Sequence, residues 1–470
     1  MMRKIVVITL ATGLAACAVG PDYQRPVVSL PKQYEEVASV ENQSEALNRE
    51  WWKLFNDVQL NELMSRAFTR NYDLQRAVAR IEEATGVLQE VGAAQFPEVD
   101  LDGAATRNRV SQLTTVPPTT LAPLIRKDEK FTLSSIFELD FWGRLRRASE
   151  AARAQEVATE YGKGVVELTL AGSVAQTYLA LRSLDAQIAV SAVTLAARSE
   201  SFDIANARFG GGLASGLDVE QARGAKAAIE AQLADLRQQR AVAEHQLAVL
   251  TATPDLKIAS GDMREMPLPP QPPAGLPSAL LEARPDIRVA EQQLIAANAR
   301  IGVAKAALFP TISLTGSIGS ESGALNDLFR DKAGIWGVGV GLDFPIFAAG
   351  KYSARVDEAT AQQKQMLAAY QQAIHNGFRE VRDALSTATQ RMAQETALDT
   401  QRQAATETLR LAKVRYESGY SPYLEVLDAQ RAANDATLAW IRTRQSRLSN
   451  AVELFKALGG GWKIANANAK

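Results

Sequence analysis

Two stretches of the chain, Asp73–Pro97 (DLQRAVARIEEATGVLQEVGAAQFP) and Asp286–Pro310 (DIRVAEQQLIAANARIGVAKAALFP), decide how the rest is read. They agree at 7 of 25 positions and both end in Ala-Ala-x-Phe-Pro. A second pair follows at nearly the same spacing. Arg208–Ala222 (RFGGGLASGLDVEQA) and Arg415–Ala429 (RYESGYSPYLEVLDA) share 5 of 15 positions, with Phe/Tyr and Asp/Glu replacements besides. A period of roughly 200 residues is far longer than a solenoid repeat, so it marks a duplicated domain. Eight of the eighteen prolines lie between 254 and 285, in a linker between the halves.

Each half carries the same order of elements. A helical stretch, 57–94 in the first half and 284–307 in the second, runs into Phe-Pro, where the proline stops it. Two alternating segments follow. Val99, Leu101, Gly103 and Ala105 form one face of the first, and Phe131, Leu133, Ser135, Phe137, Leu139 and Phe141 one face of the next. In the second half Ile312, Leu314, Gly316 and Ile318 alternate with Thr and Ser, and Trp336, Val338, Val340, Leu342 and Phe344 with Gly and Asp. Period two with one apolar face predicts strands, and their length suits a tilted strand crossing a bilayer. Four strands cannot close a membrane barrel, so the chain must oligomerise; two copies give eight strands and three give twelve. The loops at 108–130 and 319–333 are turn-rich and are expected to face outward.

Behind each strand pair lies a long proline-free region, 124–253 and 346–421. The segment 145–209 predicts a single helix of about 100 Å at roughly 1.5 Å per residue. Val174, Tyr178, Leu181, Asp185, Ile188, Ala192, Leu195, Ser199, Phe202, Asn206 and Phe209 follow the 4-3 spacing of a coiled-coil seam, apolar at eight of the eleven. Gly210-Gly211-Gly212 ends this helix and a return helix begins near Ser215. Gly419 ends its counterpart, and Ser421-Pro422 is read as N-cap and first helical residue.

Composition excludes much. Of 470 residues, 52 are basic and 53 acidic, a net charge of -1 that offers no surplus for nucleic acid. The lone cysteine excludes an intramolecular disulfide and Cys-based zinc or iron–sulfur sites, and His245 and His375 stand too far apart for a His-centred cluster. His245, between Glu244 and Gln246, reads as a surface or groove residue. No metal or cofactor is expected.

The N-terminus reads as an export signal: Arg3 and Lys4, an apolar stretch from Ile5 to Leu14, then Leu14-Ala15-Ala16-Cys17. The last four resemble a bacterial lipobox, which implies a mature chain starting at Cys17 with a diacylglycerol and an N-acyl chain. Ala18 in place of Asp implies delivery to the outer membrane. No later run of 18 apolar residues occurs, so no transmembrane helix is expected and strands must make the crossing.

The chain as a whole resembles the outer membrane factors, the TolC-like exit ducts of tripartite efflux and secretion machines, in their lipoprotein NodT/OprM-like branch. Five motifs carry the resemblance in order: Cys17–Pro26 (CAVGPDYQRP), Trp51-Trp52-x-x-Phe55, Phe141–Arg144 (FWGR), Arg284–Arg288 (RPDIR) through Phe309-Pro310, and Tyr423–Arg431 (YLEVLDAQR). It implies an α+β fold in which the duplicated unit forms a trimeric twelve-stranded outer-membrane barrel continuous with a periplasmic α-helical coiled-coil barrel. The implied organisation is a signal peptide (1–16), an acylated segment (17–56), a first repeat (57–253), an equatorial linker (254–283), a second repeat (284–458) and a tail (459–470). The implied partners are two further copies, a periplasmic adaptor, an inner-membrane transporter and outer-membrane lipid, with no nucleic acid.

At the helix tips the resemblance implies a gate. Asp218 matches the tip aspartate, Tyr416 the tyrosine that hydrogen-bonds to it from the neighbouring coil, and Glu425 and Asp428 the acidic pair whose rings constrict the pore. Gly212-Leu213-Ala214 and Gly419-Tyr420-Ser421 match the segments that adaptor hairpins contact. Two positions that hold gating arginines in the family are Ser421 and Glu417 here, so the latch is expected to run through Arg415 or Arg208. By position alone Asp218, three residues after Ser215, also suits a helix cap. Three rivals stand beside an exit duct. An envelope-spacing lipoprotein needs no amphipathic strands, an adaptor carries one hairpin rather than two, and a hydrolase lacks a His- or Cys-centred constellation.

Overall fold

The structure, a computed structural model, describes residues 18–31, 34, 49–111, 113, 123–270 and 277–461. The signal segment, Cys17 and the end of the tail lie outside the described residues. Seven long helices and four strands follow in order: α1 (Val58–Arg70), α2 (Tyr72–Ala93), β1 (Glu98–Arg109), β2 (Ile125–Leu139), α3 (Arg144–Gly210), α4 (Gly216–Leu250), α5 (Pro285–Ala306), β3 (Thr311–Ser322), β4 (Gly334–Asp343), α6 (Lys351–Glu417) and α7 (Tyr423–Ala457). Each half therefore runs helix, strand, strand, 67-residue helix, 35-residue return helix.

The helix expected over 57–94 is broken in two. Asn71 takes an extended backbone, its side-chain oxygen accepts from the amides of Asp73 and Leu74, and its amide donates to the Leu250 carbonyl. A side chain that caps a new helix competes with continuation of the old one. The strands also end earlier than their alternation suggests. Beyond Leu139 the Asp140 carboxylate accepts from the amides of Leu145 and Arg146, so residues 140 and 141 serve the start of α3.

The chain divides into two compact units. The first holds residues up to Val27, Arg80–Thr159 and Val289–Tyr370. Its sheet is antiparallel in the order β1-β2-β3-β4. The strap after Cys17 is tied down closely here. The Val19 amide donates to the Trp142 carbonyl at 3.0 Å, Asp22 pairs with Arg147 at 2.6 Å, and Arg25 grips Glu291 with two bonds of 2.6 and 2.7 Å. Trp142 stacks on Phe309 and donates its Nε1 hydrogen to the Pro310 carbonyl, which locks the end of β2 to the turn before β3.

The second unit holds Val28–Ala79, Glu160–Arg288 and Gln371–Lys470. Its core is aromatic and aliphatic: Trp51 stacks on Phe455 at 5.4 Å and meets Phe55 edge-on, with Leu60, Met64, Tyr178, Leu181 and Ile441 fully buried around them. The linker is fastened to this core by charge. Asp185, a polar break in the expected seam, accepts from Arg240 at 2.6 Å and from the Gly261 amide, while Arg182 reaches the Ala259 carbonyl. Burial alone would raise the Glu244 carboxyl, but the Ile258 amide, Lys257 and Arg240 outweigh it and hold it below the usual carboxylate range.

Two features of α3 bear on the sequence reading. Its apolar stretch, with a mean hydropathy of 1.3 over 18 residues, is long and apolar enough by length and composition to cross a membrane, although it is not an unbroken apolar run. Half of that stretch is buried inside the protein, so its apolarity serves packing. The seam holds over Val174, Tyr178, Leu181 and Asp185, but beyond Ile188 the buried positions shift to Ser191, Arg198 and Ala205. The reason is that α3 packs there against α4 on one side and α7 on another, and one 4-3 stripe cannot describe two contacts.

Trp51→Ala is expected to destabilise the core by about 3–5 kcal/mol, as large aromatic truncations do, and Leu54→Ala, at a site 43% exposed, hardly at all. Melting of both variants in detergent, followed by circular dichroism, checks this; equal midpoints would show that the Trp51–Phe455 stack is not a keystone.

Candidate functional site

Register fixes the two faces of the sheet. Leu101 lies opposite Leu133, Leu133 opposite Ile318, and Ile318 opposite Trp336, so the four form one row on one face. All are exposed, from 44% for Leu133 to 78% for Trp336, and Val99, Val338, Val340 and Leu342 extend the same face. In water such a face would be a liability; in lipid it is what a strand must present. The other face is mostly polar, and small on β3 and β4. Asp100, Ser134, Ser317 and Gly337 make one row, and Gly339 and Gly341 lie opposite Thr315 and Ser313. Within the chain β1 and β4 each pair on one side only.

The helix tips, in the second unit, are built from two copies of one turn. In the first, Gly212 takes φ +74°, and the Leu213 amide reaches back to the Arg208 carbonyl at 2.8 Å. In the second, Gly419 takes φ +79°, and the Tyr420 amide reaches the Arg415 carbonyl at 2.9 Å. This is the Schellman closure, and the left-handed residue in it favours glycine. Leu213 and Tyr420 stand 82% and 80% exposed at the two turns.

The return helices start differently. Ser215 and Asp218 form a complete capping box at the head of α4, with the Asp218 carboxylate accepting from the Ser215 amide at 3.1 Å and from its hydroxyl at 2.9 Å. At the head of α7 the N-cap is Pro422, with no side-chain cap bond, so Ser421 is not the cap expected from sequence. It stands one residue too early, and its buried Oγ has no hydrogen-bond partner.

The four expected gate residues each meet a near neighbour. Tyr416 accepts a 2.9 Å hydrogen bond from Arg208, whose guanidinium also lies 5.0 Å from its ring, and it packs on Tyr423 at 5.5 Å. Glu425 pairs with Arg415 at 3.1 Å and Asp428 with Arg431 at 3.2 Å. The Tyr416–Asp218 bond implied by resemblance is not formed within one chain among the described residues; there Asp218 accepts from Ser215 and Tyr416 accepts from Arg208. Burial raises the Tyr423 phenol above its ordinary value. Arg208 and Arg415 hold equivalent places in the two repeats, as do Asp218 and Glu425. Only the second copy keeps the arginine and carboxylate together, while the first sends its arginine across to the second tip.

The described chain thus has a lipid-ready strand face and, in the other unit, paired helix tips with alternating charge. The family description for outer membrane efflux proteins matches residues 63–253 and 276–460, one segment for each repeat. The chain belongs to the outer membrane efflux protein family. It is 33% identical to the cation efflux system protein CusC of Escherichia coli K12 over 465 residues, covering 97% of this chain and 99% of that one. It is 34% identical to the outer membrane protein OprJ of Pseudomonas aeruginosa over 469 residues, covering 98% and 97%. The solved outer-membrane channel OprN superposes with a TM-score of 0.88 at 29% identity, covering 95% of this chain and 100% of that chain. As a family member the protein is an outer-membrane efflux component of the OprM/NodT type, and the spacer reading is not favoured.

The strap ion pairs of Asp22 and Arg25 went unread in the sequence, since their partners Arg147 and Glu291 are more than a hundred residues away. Arg208→Ala removes a hydrogen bond and a cation–π contact at a part-buried site, together worth about 1–2 kcal/mol. It is expected to speed amide exchange at 199–210 and 412–420 several-fold. Arg415→Ala breaks an exposed pair, 57% and 41% accessible, and should change exchange little. Deuterium exchange read by mass spectrometry separates the two; a larger effect at Arg415 would reverse the assignment.

Proposed function

We propose that the protein is the passive exit duct of a tripartite efflux system, a homotrimer whose periplasmic helix tips open when an adaptor and an inner-membrane transporter engage it. The observation that carries this reading is the exposed apolar row across a four-stranded sheet with two free edges. In lipid an open edge leaves amides and carbonyls unsatisfied at several kcal/mol each, so β1 must pair with β4 of another copy. Three copies supply the twelve strands of the family plan. A lipid anchor on Cys17 accords with the strap that begins at Ala18 and is bonded from its second residue onward. Intact mass of the extracted protein is expected to show a triacylated Cys17 as the first residue, and an unmodified N-terminus would remove the anchor from the proposal. The work of transport belongs to the transporter, and the duct contributes a path and a gate.

The gate is assigned to Asp218, Tyr416, Glu425 and Asp428, with Gly212, Leu213, Ala214, Gly419, Tyr420 and Ser421 as the surface met by the adaptor. Threefold rings of Glu425 and Asp428 favour cations and resist further closure, tempered by Arg415 and Arg431 beside them. In a planar bilayer, wild type should give a small, cation-preferring conductance. Glu425→Ala/Asp428→Ala leaves Arg415 and Arg431 uncompensated, so cation preference should fall and conductance rise. Unchanged conductance and selectivity would move the constriction away from these residues.

A further inference from the structure

The seam between α3 and α7 changes character along its length. At one end it is part of the main core, with Leu184 and Ala186 on α3 and Ile441 on α7. At the tip end it is apolar again, with Ala205 on α3 and Tyr423, Val426, Leu427 and Ala429 on α7. Between them polar residues are interspersed among the buried apolar Ala433, Ala436 and Leu438 of α7. Arg442 donates to Gln187 at 3.0 Å and Thr194 to Asn434 at 3.2 Å, and these antiparallel steps put Arg198 and Gln430 at the same level of the seam.

This band is poorly satisfied. Arg198 is 7% exposed, yet among the described residues its hydrogen bond is a 3.3 Å contact to the Ala225 carbonyl of α4, and its Nε has no partner there. The Oε1 of Gln430, 5% exposed, and the Oγ of Ser191, fully buried, are unpartnered too. A groove of about 390 Å³ runs along the same band, lined by Val193, Thr194 and Ala197 of α3, Leu409 of α6, and Gln430 and Asn434 of α7. Burial pulls the Arg198 guanidinium below its ordinary value, a loss that Tyr423 and Asp435 nearby offset only in part. Such a group destabilises the closed seam relative to an apolar residue of similar volume. When the seam parts, water supplies the bonds that closure withholds, so separation costs less here than in either apolar cluster.

We propose that the Ser191–Arg198–Gln430 band is a built-in hinge, the level at which the tip section of the two coils comes apart from the main core as a unit. The hinge rests on the tip-gate reading for its use in transport but not for its existence. It differs from the tip contacts: those decide whether the ends hold together, and the band decides where the helices yield.

The test is amide exchange on the full-length assembled protein in detergent, with Arg198→Leu/Gln430→Leu and the conservative Arg198→Met beside wild type. Wild type should show the tip segments 199–225 and 405–429 exchanging together and faster than 165–186. The double variant should slow tip exchange about tenfold, the worth of one buried unsatisfied group, and Arg198→Met should slow it in the same direction should the double variant fail to assemble. Unchanged or faster tip exchange in a folded variant overturns the hinge, as does wild-type exchange that declines smoothly with no step at the band. Bilayer conductance of the same variants beside Glu425→Ala/Asp428→Ala separates the two readings. Slowed exchange with silent tip variants keeps the hinge and removes the gate, whereas responsive tip variants with unaltered exchange keep the gate and remove the hinge.

Discussion

The unsatisfied edges of a four-stranded sheet in lipid are the constraint on which the rest of the architecture depends. A soluble sheet can leave its outer strands to water, but a membrane sheet has no such partner. Because β1 and β4 each pair on one side only, the chain is complete only in an assembly. That requirement explains the duplication, which supplies two hairpins per copy, and it explains why the face carrying Leu101, Ile318 and Trp336 is exposed in a single chain. On the opposite face β3 and β4 pair serine and threonine with glycine, which keeps that half of the face free of bulk.

The helices solve a different problem by the same economy. A 67-residue helix, like other helices in proteins, draws most of its stability from packing along its length rather than from propensity. In the second unit α3 is buried on more than one side over residues 181–187, where Arg182, Asp185 and Gln187 are buried along with the aliphatic residues. The polar members are matched by Arg240, Arg442 and the linker backbone. Toward the tips the matching lapses, at Arg198 and Gln430, and the seam is least satisfied between its two apolar clusters. A structure that has to open somewhere without unfolding needs such a place, and buried polar groups define it at a known cost.

The two repeats are not equivalent at the tips, where their function is assigned. Both tips close with the same glycine turn, yet one return helix begins on a capping box and the other on a proline without a side-chain cap. The equivalent arginines, Arg208 and Arg415, take different partners, a tyrosine across the tips and a glutamate within its own turn. Duplication supplied two similar hairpins, and the loss of symmetry between them created contacts that hold one against the other.

The local features were legible in the amino-acid order because their causes are local. Alternation at 99–105 and 336–344 marked strands, proline marked the ends of α2 and α5, and paired glycines marked the tips, since each depends on backbone geometry within a few residues. The break at Asn71 rests on a local cap to Asp73 and Leu74 that the sequence allows but does not demand, and on the Leu250 carbonyl 179 residues away. The coiled-coil stripe was correct as far as Ile188 and wrong beyond it, because a sequence period describes one contacting face and α3 acquires two. Which arginine meets Tyr416, how the strap is gripped by Arg147 and Glu291, and which polar residues are left without partners were decided only by the tertiary structure. Each is a question of which side chains from distant segments reach one another, and no spacing along the chain encodes that distance.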